Sequence, residues 1–327
     1  MIEVKNLTKC YGKHLAVDNL SFTVQEGQIY GFLGPNGAGK STTMNIMTGY
    51  LGATKGEVLI NGHDILKEPE EAKSCIGYLP EQPPLYMEMT VLEYLTFAAE
   101  LKKIPKAERE SQILRVMRLT KLDPVKERLI HNLSKGYKQR VGLAQAILGF
   151  PEIIILDEPT VGLDPKQIIE IRELIRTLAK KHTVILSSHI LAEIREVCDH
   201  IMIIAGGHLV ASDTPDNLEN LMSGTGHVAL ETKASKEQME VVLKSVPEIS
   251  SVKYEETDEP TTLAYIESKD GTDLREKLFY TFADAKIPLL TLRLNKSSLE
   301  DIFLELTQDG KKQKEAEKKL AGKEEQK

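Results

Sequence analysis

Apolar runs alternate with helical periodicities along the first two thirds of the chain, which indicates an α/β fold. Short apolar runs predict strands at 28–33, Ile153–Leu156, 183–187 and 200–204. The run at Ile153–Leu156 contains no polar residue, which is typical of a parallel strand buried on both faces. Amphipathic patterns predict helices at 168–181 and 191–198. In such folds ligands bind at the carboxyl ends of the strands, so we expect the functional residues there.

Two further regions differ from this α/β pattern. The stretches 91–121 and 133–150 predict a mostly helical insert. Beyond a candidate linker at 223–226 the predicted order becomes β-α-β-β-α-β, with segments at 227–232, 236–245, 251–256, 262–268, 272–286 and 289–294. That order is typical of a small α+β, ferredoxin-like domain.

The pattern therefore predicts two domains and a tail. We expect one domain at 1–222 and the other at 223–308, the latter ending in a helix at 298–306. Residues 309–327 are rich in Lys and Glu and nearly devoid of apolar side chains, which predicts a disordered tail. The length of 327 residues agrees with two domains at about 150 residues each.

Charge and cysteine content narrow the class of protein. Lys plus Arg is 42 and Asp plus Glu is 49, a formal net charge of −7, which argues against nucleic-acid binding by bulk electrostatics. No apolar stretch approaches the ~20 residues that span a bilayer, and the N-terminus lacks the apolar core of a secretory signal. The three cysteines are far apart and predict neither a disulfide framework nor a zinc site. We therefore expect a soluble intracellular protein with reduced cysteines.

A glycine-rich segment between a predicted strand and a predicted helix fits the pattern G-x-x-x-x-G-K-[ST]. Its residues, together with the next threonine, are Gly34, Pro35, Asn36, Gly37, Ala38, Gly39, Lys40, Ser41 and Thr42. Glycines let backbone N–H groups turn toward phosphate oxygens, and the following helix adds its positive end. Lys40 is expected to reach the β- and γ-phosphates and Ser41 to bind Mg²⁺. The segment predicts a phosphate-binding P-loop.

The strand Ile153–Leu156 leads directly into two carboxylates, Asp157 and Glu158. Beside a P-loop, an Asp at a buried strand end is the expected second ligand for Mg²⁺. Glu158 then lies where it is able to act on a water near the γ-phosphate as a general base. Taken alone, such a pair is also compatible with a simple cap on a strand.

These motifs resemble those of ATP-binding cassette (ABC) ATPases over about two thirds of the chain. The P-loop resembles their Walker A motif, and Ile153–Thr160 resembles Walker B with its adjoining glutamate. The resemblance implies that Asp164 belongs to a D-loop that crosses a dimer interface, that His189 contacts the γ-phosphate, and that Tyr11 stacks on adenine. It also implies the fold, an ABC-type P-loop NTPase with a helical insert, with ATP and Mg²⁺ as cofactors.

Each of these three residues also has an ordinary structural interpretation. Tyr11 fits a half-buried strand aromatic, and His189 fits a hydrogen-bonded loop histidine. Asp164 precedes a proline and fits a helix N-cap, a role compatible with a D-loop function.

Two segments depart from the family pattern. The sequence LSKGY at 133–137 occupies the place of the signature LSGGQ, keeping Ser134 and Gly136 but carrying Lys135 in place of a glycine. In the family this segment starts a helix that faces the γ-phosphate held by the other subunit. Ser134, the helix end and Lys135 still predict phosphate binding, and the alternative is that Ser134 only caps the helix. At the family's Q-loop position the chain has Glu81 followed by Gln82, and we expect Glu81 first, then Gln82, to bind Mg²⁺.

The resemblance also implies the function. The segment 297–307 and the LSKGY variant resemble a branch of exporters in which the cassette is a separate chain with a small C-terminal domain. The expected activity is ATP hydrolysis that powers export, with catalytic roles for Lys40, Glu158 and His189. Expected partners are a transmembrane permease, which would hold the chain at the inner face of the cell membrane, and a second copy in a head-to-tail dimer. An importer ATPase of the same fold, or a soluble ABC ATPase acting on nucleic acid or ribosomes, stays open as an alternative.

Overall fold

The computed structural model describes residues 1–221, 227–256 and 261–295. The chain divides into two compact units between Pro215 and Asp216, ahead of the predicted boundary at 222/223. The predicted linker at 223–226, the helix at 298–306 and the tail at 309–327 lie outside the described residues.

The first unit contains two sheets and a set of helices. Its strands are β1 (Ile2–Tyr11), β2 (His14–Val24), β3 (Ile29–Leu33), β4 (Lys55–Ile60), β5 (His63–Asp64), β6 (Ile76–Leu79), β7 (Ile153–Leu156), β8 (Thr183–Ser188), β9 (His200–Ala205) and β10 (His208–Asp213). Its helices are α1 (Lys40–Met47), α2 (Pro69–Ser74), α3 (Val91–Leu101), α4 (Lys106–Leu119), α5 (Lys135–Ile147), α6 (Pro165–Ala179) and α7 (Leu191–Val197). A further helix, α8 (Pro215–Leu221), spans the boundary between the units.

The main sheet has the strand order β10-β9-β3-β8-β7-β6. All its pairs are parallel except that of β10 with β9. Every residue of β3, β7 and β8 is buried, which explains their continuous apolar runs. The four predicted strands are confirmed to within a residue or two at their ends. Their carboxyl ends carry the P-loop, the Asp157–Glu158 pair and His189 to one edge.

A second sheet, antiparallel with the order β2-β1-β4-β5, was not predicted. Its strands are only half-buried, so apolar residues such as Ile2, Val4 and Leu7 are separated by polar ones. These side chains share one hydrophobic cluster with Met44 and Met47 of α1 and with residues of the main sheet. The helix after the P-loop is therefore packed into the core, which fixes the position of its N-terminus.

The predicted helical insert is present as α3, α4 and α5. Thr90 and Glu93 form a capping box that begins α3, and Ser134 caps α5 through the N–H of Tyr137. Helix α5 is largely buried, and Gln139 within it donates to the carbonyl oxygen of Pro159, at 3.2 Å. Arg140 pairs with Glu170 of α6. The insert is thus joined to the segment that follows β7.

The second unit has the order β-α-β-β-α-β. Its elements are β11 (His227–Thr232), α9 (Lys236–Leu243), β12 (Ile249–Glu256), β13 (Thr262–Ser268), α10 (Arg275–Asp284) and β14 (Leu289–Asn295). The strands form one antiparallel sheet with the order β12-β13-β11-β14. Its own core includes Leu230, Met239, Ile266 and Phe282. This is the element order of a ferredoxin-like domain.

Candidate functional site

The P-loop joins β3 to α1, and its backbone requires glycine at two points. Gly37 has φ 78° and Gly39 has φ 108°, a region that side chains strain to occupy. A Cβ atom at Gly39 would also lie 2.7 Å from the carbonyl oxygen of Ala16. Gly39 is the N-cap of α1, so the N-terminus of that helix opens onto the loop.

Lys40, the first residue of α1, is buried, with 6% of its surface exposed. Its Nζ donates to the carbonyl oxygens of Gly34 (2.7 Å) and Pro35 (3.3 Å) and lies 3.9 Å from Glu158 Oε1. Burial lowers the pKa of Lys40, and the charges of Glu158, Asp157 and Glu81 act in the opposite direction. The ammonium group is thereby held among carboxylates at the edge of the loop.

Asp157 follows β7 and lies against the first turn of α1. Its N–H donates to the carbonyl oxygen of Leu79, and its Oδ1 accepts a hydrogen bond from Ser187 at the end of β8. The same Oδ1 lies 3.4 Å from Ser41 Oγ. A carboxylate and a hydroxyl oxygen side by side are the donors that Mg²⁺ uses beside nucleotide phosphates, with the remaining positions filled by phosphate oxygens and water.

Glu158 lies in an unusual backbone conformation, with φ 48°. Non-glycine residues in this region cost free energy and concentrate at functional sites. Its N–H donates to Ser187 Oγ at 2.9 Å, and its Oε2 lies 2.9 Å from His189 Nδ1. Only 6% of Glu158 is exposed. Two of the three predicted catalytic side chains, Glu158 and His189 from the ends of β7 and β8, therefore form a hydrogen-bonded pair.

A cavity of about 420 Å³ opens over these groups. The predicted site residues that line it are Tyr11, Asn36, Gly37, Ala38, Gly39, Lys40, Ser41, Thr42, Glu81, Glu158 and His189. Tyr11 is 47% exposed, so its ring is accessible at the cavity wall. Three predicted residues are not part of the lining but contact residues that are. Gly34 and Pro35 accept hydrogen bonds from Lys40, and Asp157 lies beside Ser41. The residues of the motifs thus converge on one cavity.

The two residues predicted at the Q-loop position differ in placement. Glu81 lines the cavity, and its charge acts on Lys40. Gln82 is exposed and is not part of the lining.

Ser134, Gly136 and Asp164 are not part of this lining either. Ser134 and Asp164 are exposed and cap α5 and α6, the latter by accepting from the N–H of Gln167 at 2.9 Å. Gly136 packs against the Gln167 side chain, which a Cβ atom there would contact at 2.3 Å. Ser134 and Asp164 therefore both cap helices, and capping leaves their exposed faces accessible.

Some residues of the site were not predicted from the sequence. His14, Ala16 and Val161 also line the cavity. Ser187 binds both Asp157 and the backbone of Glu158. The signal for Ser187 was present in the sequence, because a serine at the end of a buried apolar strand, two residues before His189, is out of place in a core.

Two further features concern the described part of the chain, 1–221, 227–256 and 261–295. No helix there has the length and apolar character needed to cross a membrane. No group of three or more His, Cys, Asp or Glu side chains there is arranged to hold a metal ion.

Known proteins resemble this chain in sequence and in fold. Residues 17–161 match the family model described as ABC transporter. The chain is 36% identical to the bacitracin transport ATP-binding protein BcrA of Bacillus licheniformis, over 95% of this chain and 98% of the relative. It is 32% identical to the linearmycin resistance ATP-binding protein LnrL of Bacillus subtilis, over 94% and 98% of the two chains.

Solved structures of ABC ATPases have a fold similar to that of this chain. The structure of an ATP-binding subunit of an ABC transporter superposes with a TM-score of 0.63 at 33% identity, covering 68% of this chain and 92% of the other. The dimeric structure of MJ0796, a bacterial ABC transporter cassette, gives 0.61 at 28% identity, covering 65% and 98%.

Fold and site together define a P-loop NTPase with the motifs of an ATP-binding cassette. The chain belongs to the ABC transporter family of ATP-binding proteins. It is an ATP-binding and ATP-hydrolysing subunit of the exporter type.

Proposed function

We propose that this chain works as a head-to-tail dimer with two ATP–Mg²⁺ at the interface, and that ATP hydrolysis drives export through a separate membrane permease. The observation that carries the proposal is the separation of the motifs. The P-loop, Glu158 and His189 line one cavity, whereas Ser134 and Asp164 are exposed outside it. One chain therefore offers two incomplete halves, which a second copy completes.

ATP binding uses residues on three elements. The triphosphate lies along Gly34–Thr42 at the N-terminus of α1, with Lys40 as the cationic partner of the β- and γ-phosphates. Tyr11, at the end of β1 on the cavity wall, stacks on the adenine. Ser134 and Gly136 of the second copy approach the γ-phosphate from the other side, and Asp164 contacts the interface between the copies.

Ser41, Asp157 and Glu81 are the residues that hold Mg²⁺. The 3.4 Å between Ser41 Oγ and Asp157 Oδ1 and the position of Glu81 in the cavity support this set. Gln82 is the weaker candidate because it lies outside the lining. When bound, Mg²⁺ neutralises phosphate charge that develops in the reaction.

Glu158 acts as the general base that takes a proton from the attacking water. Its burial beside Lys40 and His189 supports this role, since the carboxylate is held at a fixed place in the cavity. His189 orients Glu158 through the 2.9 Å contact and also contacts the γ-phosphate. Lys40 stabilises the charge on the transferred group.

Dimerisation and transport follow from the same geometry. ATP favours the closed dimer and hydrolysis releases it, so the work comes from the different affinities of the two states for nucleotide. The relative MJ0796 is dimeric in its solved structures, which supports a dimer here. The chain itself would lie in the cytoplasm, bound to the inner face of the membrane through its permease.

The names of the relatives support a substrate class. They concern transport of bacitracin and of lantibiotics and resistance to linearmycin, so we propose an antibiotic as the exported compound. The rival activity on nucleic acid or ribosomes is disfavoured by the net charge of −7.

The experiment is affinity purification of tagged full-length Glu158→Gln chain from native membranes with ATP and Mg²⁺, beside the wild-type chain. Because the variant keeps ATP, it should retain more of a multi-span membrane protein than the wild type does. Recovery of ribosomes or nucleic acid without a membrane protein would contradict the proposal.

A further inference from the structure

A buried carboxylate lies outside the cavity, on helix α7. Glu193 is only 7% exposed and is not part of the cavity lining. Thr160 Oγ1 donates to its Oε2 at 2.5 Å, and Ser188 Oγ donates to the same oxygen at 3.2 Å. One carboxylate oxygen therefore joins two separate segments, the one after β7 and the end of β8.

Each of the two donors is a near neighbour of one member of the Glu158–His189 pair. Thr160 follows Glu158 by two residues, and Ser188 immediately precedes His189. The pair itself is joined by the 2.9 Å contact between His189 Nδ1 and Glu158 Oε2. The hydrogen bonds to Glu193 thus form a second connection between the same two segments, behind the first.

The chain on both sides of His189 is tied to this connection. Ser188 Oγ also accepts from the N–H of Ile190 at 3.0 Å, while the N–H of Glu193 donates to the carbonyl oxygen of Ile190 at 3.2 Å. Rotation of the backbone at His189 would break bonds at Ser188 or Ile190. Breaking a buried hydrogen bond without a replacement partner costs free energy, which makes this arrangement costly to distort.

We propose that Glu193 is a positioning residue that holds His189 and Glu158 in register for hydrolysis. The inference rests on the proposed roles of those two residues. Glu193 has no place in the cavity lining, and Lys40 and the P-loop are held by other bonds. Loss of the Glu193 carboxylate should therefore slow ATP turnover and leave the affinity for nucleotide unchanged.

The test compares Glu193→Ala and Glu193→Gln with Glu196→Gln, a control on the exposed side of the same helix. Both hydroxyls donate to one oxygen, so the amide oxygen of Gln is able to accept both bonds. We expect Glu193→Ala to lower kcat roughly ten- to hundredfold, with the ATP dissociation constant within roughly twofold of the wild type. Glu193→Gln should recover most of that loss, and Glu196→Gln should match the wild type.

Variants of the two donors, Thr160 and Ser188, distinguish the positioning role of Glu193 from a purely structural one. Thr160→Val removes one hydroxyl, and it should lower kcat in the wild-type chain but have no further effect in Glu193→Ala. Ser188→Ala also removes the bond from the N–H of Ile190, so its effect on kcat should be smaller in Glu193→Ala than in the wild-type chain. If that variant does not fold, the pair Thr160→Val and Ser188→Ala carries the test through non-additive losses of kcat. Equal losses in both backgrounds, additive losses, or a Glu193→Gln variant as slow as Glu193→Ala would overturn the proposal.

The outcome for Glu193 is separable from that for the proposed function. Glu158→Gln, assayed in parallel, reports on the general base alone. Wild-type turnover by Glu158→Gln would remove the catalytic pair itself. Loss of turnover in Glu158→Gln with normal turnover in Glu193→Ala would remove only the positioning role.

Discussion

The cavity over the P-loop and the exposed start of helix α5 carry the two halves of the nucleotide motifs, and they are built differently. In the cavity, side chains from the ends of several strands converge, and Lys40 and Glu158 are both buried. At the start of α5, Ser134 is exposed and bonds the backbone of its own helix. Asp164 does the same for α6.

The difference indicates where each half acts. Groups that converge and are buried are preorganised for chemistry within one chain. At the start of α5, the backbone N–H groups of the helix N-terminus place partial positive charge beside the exposed Ser134, ready for an anion that another molecule presents. Variants of the two regions should therefore separate binding from turnover in different ways.

The largest effect is expected from Glu158→Gln. Without a general base, kcat should fall by roughly 10²- to 10⁴-fold, while ATP still binds because the P-loop and Lys40 are intact. Steady-state ATPase assays and an equilibrium nucleotide titration measure the two quantities. Glu152→Gln, an exposed change just before β7, is the control. Normal turnover by Glu158→Gln would exclude the catalytic role.

Lys40→Ala should act on the cavity half by weakening binding. The phosphates lose their buried cationic partner, so the ATP dissociation constant should rise by roughly ten- to hundredfold. A titration with a fluorescent ATP analogue measures this, with Lys55→Ala, at the exposed start of β4, for comparison. An unchanged affinity would mean that Lys40 does not bind the phosphates.

Ser134→Arg should act on the other half in the opposite way. A bulky side chain at the exposed helix start leaves the chain's own cavity intact, so ATP affinity of the single chain stays the same. Turnover should fall roughly tenfold or more, because the second copy no longer approaches the γ-phosphate. A parallel drop in affinity and turnover would place Ser134 in the chain's own site and contradict the division.

The parts of the fold and of the candidate site differ in how far they could be predicted from the sequence. The P-loop and the pair at 157–158 are contiguous motifs at strand ends, so their residues and the converging cavity were predicted from the sequence. The contacts of Ser187 and Glu193 join residues about thirty positions apart, which no local pattern reveals. The antiparallel sheet was missed because half-buried strands give a weak apolar signal. No local sequence pattern marks the positive φ of Glu158 either, because Glu158 is not a glycine.

Asp164 caps α6 and has a proposed role at the dimer interface, and substitution should separate the two. Asp164→Asn keeps an acceptor for the N–H of Gln167, so stability should be nearly unchanged. Asp164→Ala loses the cap and should lower the free energy of unfolding by about 1 kcal/mol. If Asp164 also contacts the second copy, both variants should slow ATP turnover. Slowed turnover in Asp164→Ala alone, in step with its stability, would leave only the capping role.

The smallest effect concerns the far end of α5. Lys102 Nζ donates to the carbonyl oxygens of Ala146 and Leu148, and burial lowers its pKa to about 8. Between pH 8 and the ordinary pKa of 10.5, the folded chain binds fewer protons than the unfolded chain. The free energy of unfolding should therefore rise with pH across this window, by less than about 1.4 kcal/mol per pH unit.

Denaturant unfolding at several pH values measures this slope. In Lys102→Met the rise assigned to Lys102 should be missing, whereas Lys103→Met, an exposed neighbour, should keep it. Equal slopes in Lys102→Met and the wild type would contradict the burial of this ammonium group.

The most direct test of the central claim is the molar mass of the Glu158→Gln chain in solution, measured by light scattering with and without ATP and Mg²⁺. Two incomplete halves on one chain predict that nucleotide doubles the mass of 36.5 kDa. Adding Ser134→Arg to the same chain should leave ATP bound and the mass undoubled. A chain that binds ATP and keeps its single mass, or a doubled mass that survives Ser134→Arg, would contradict the account.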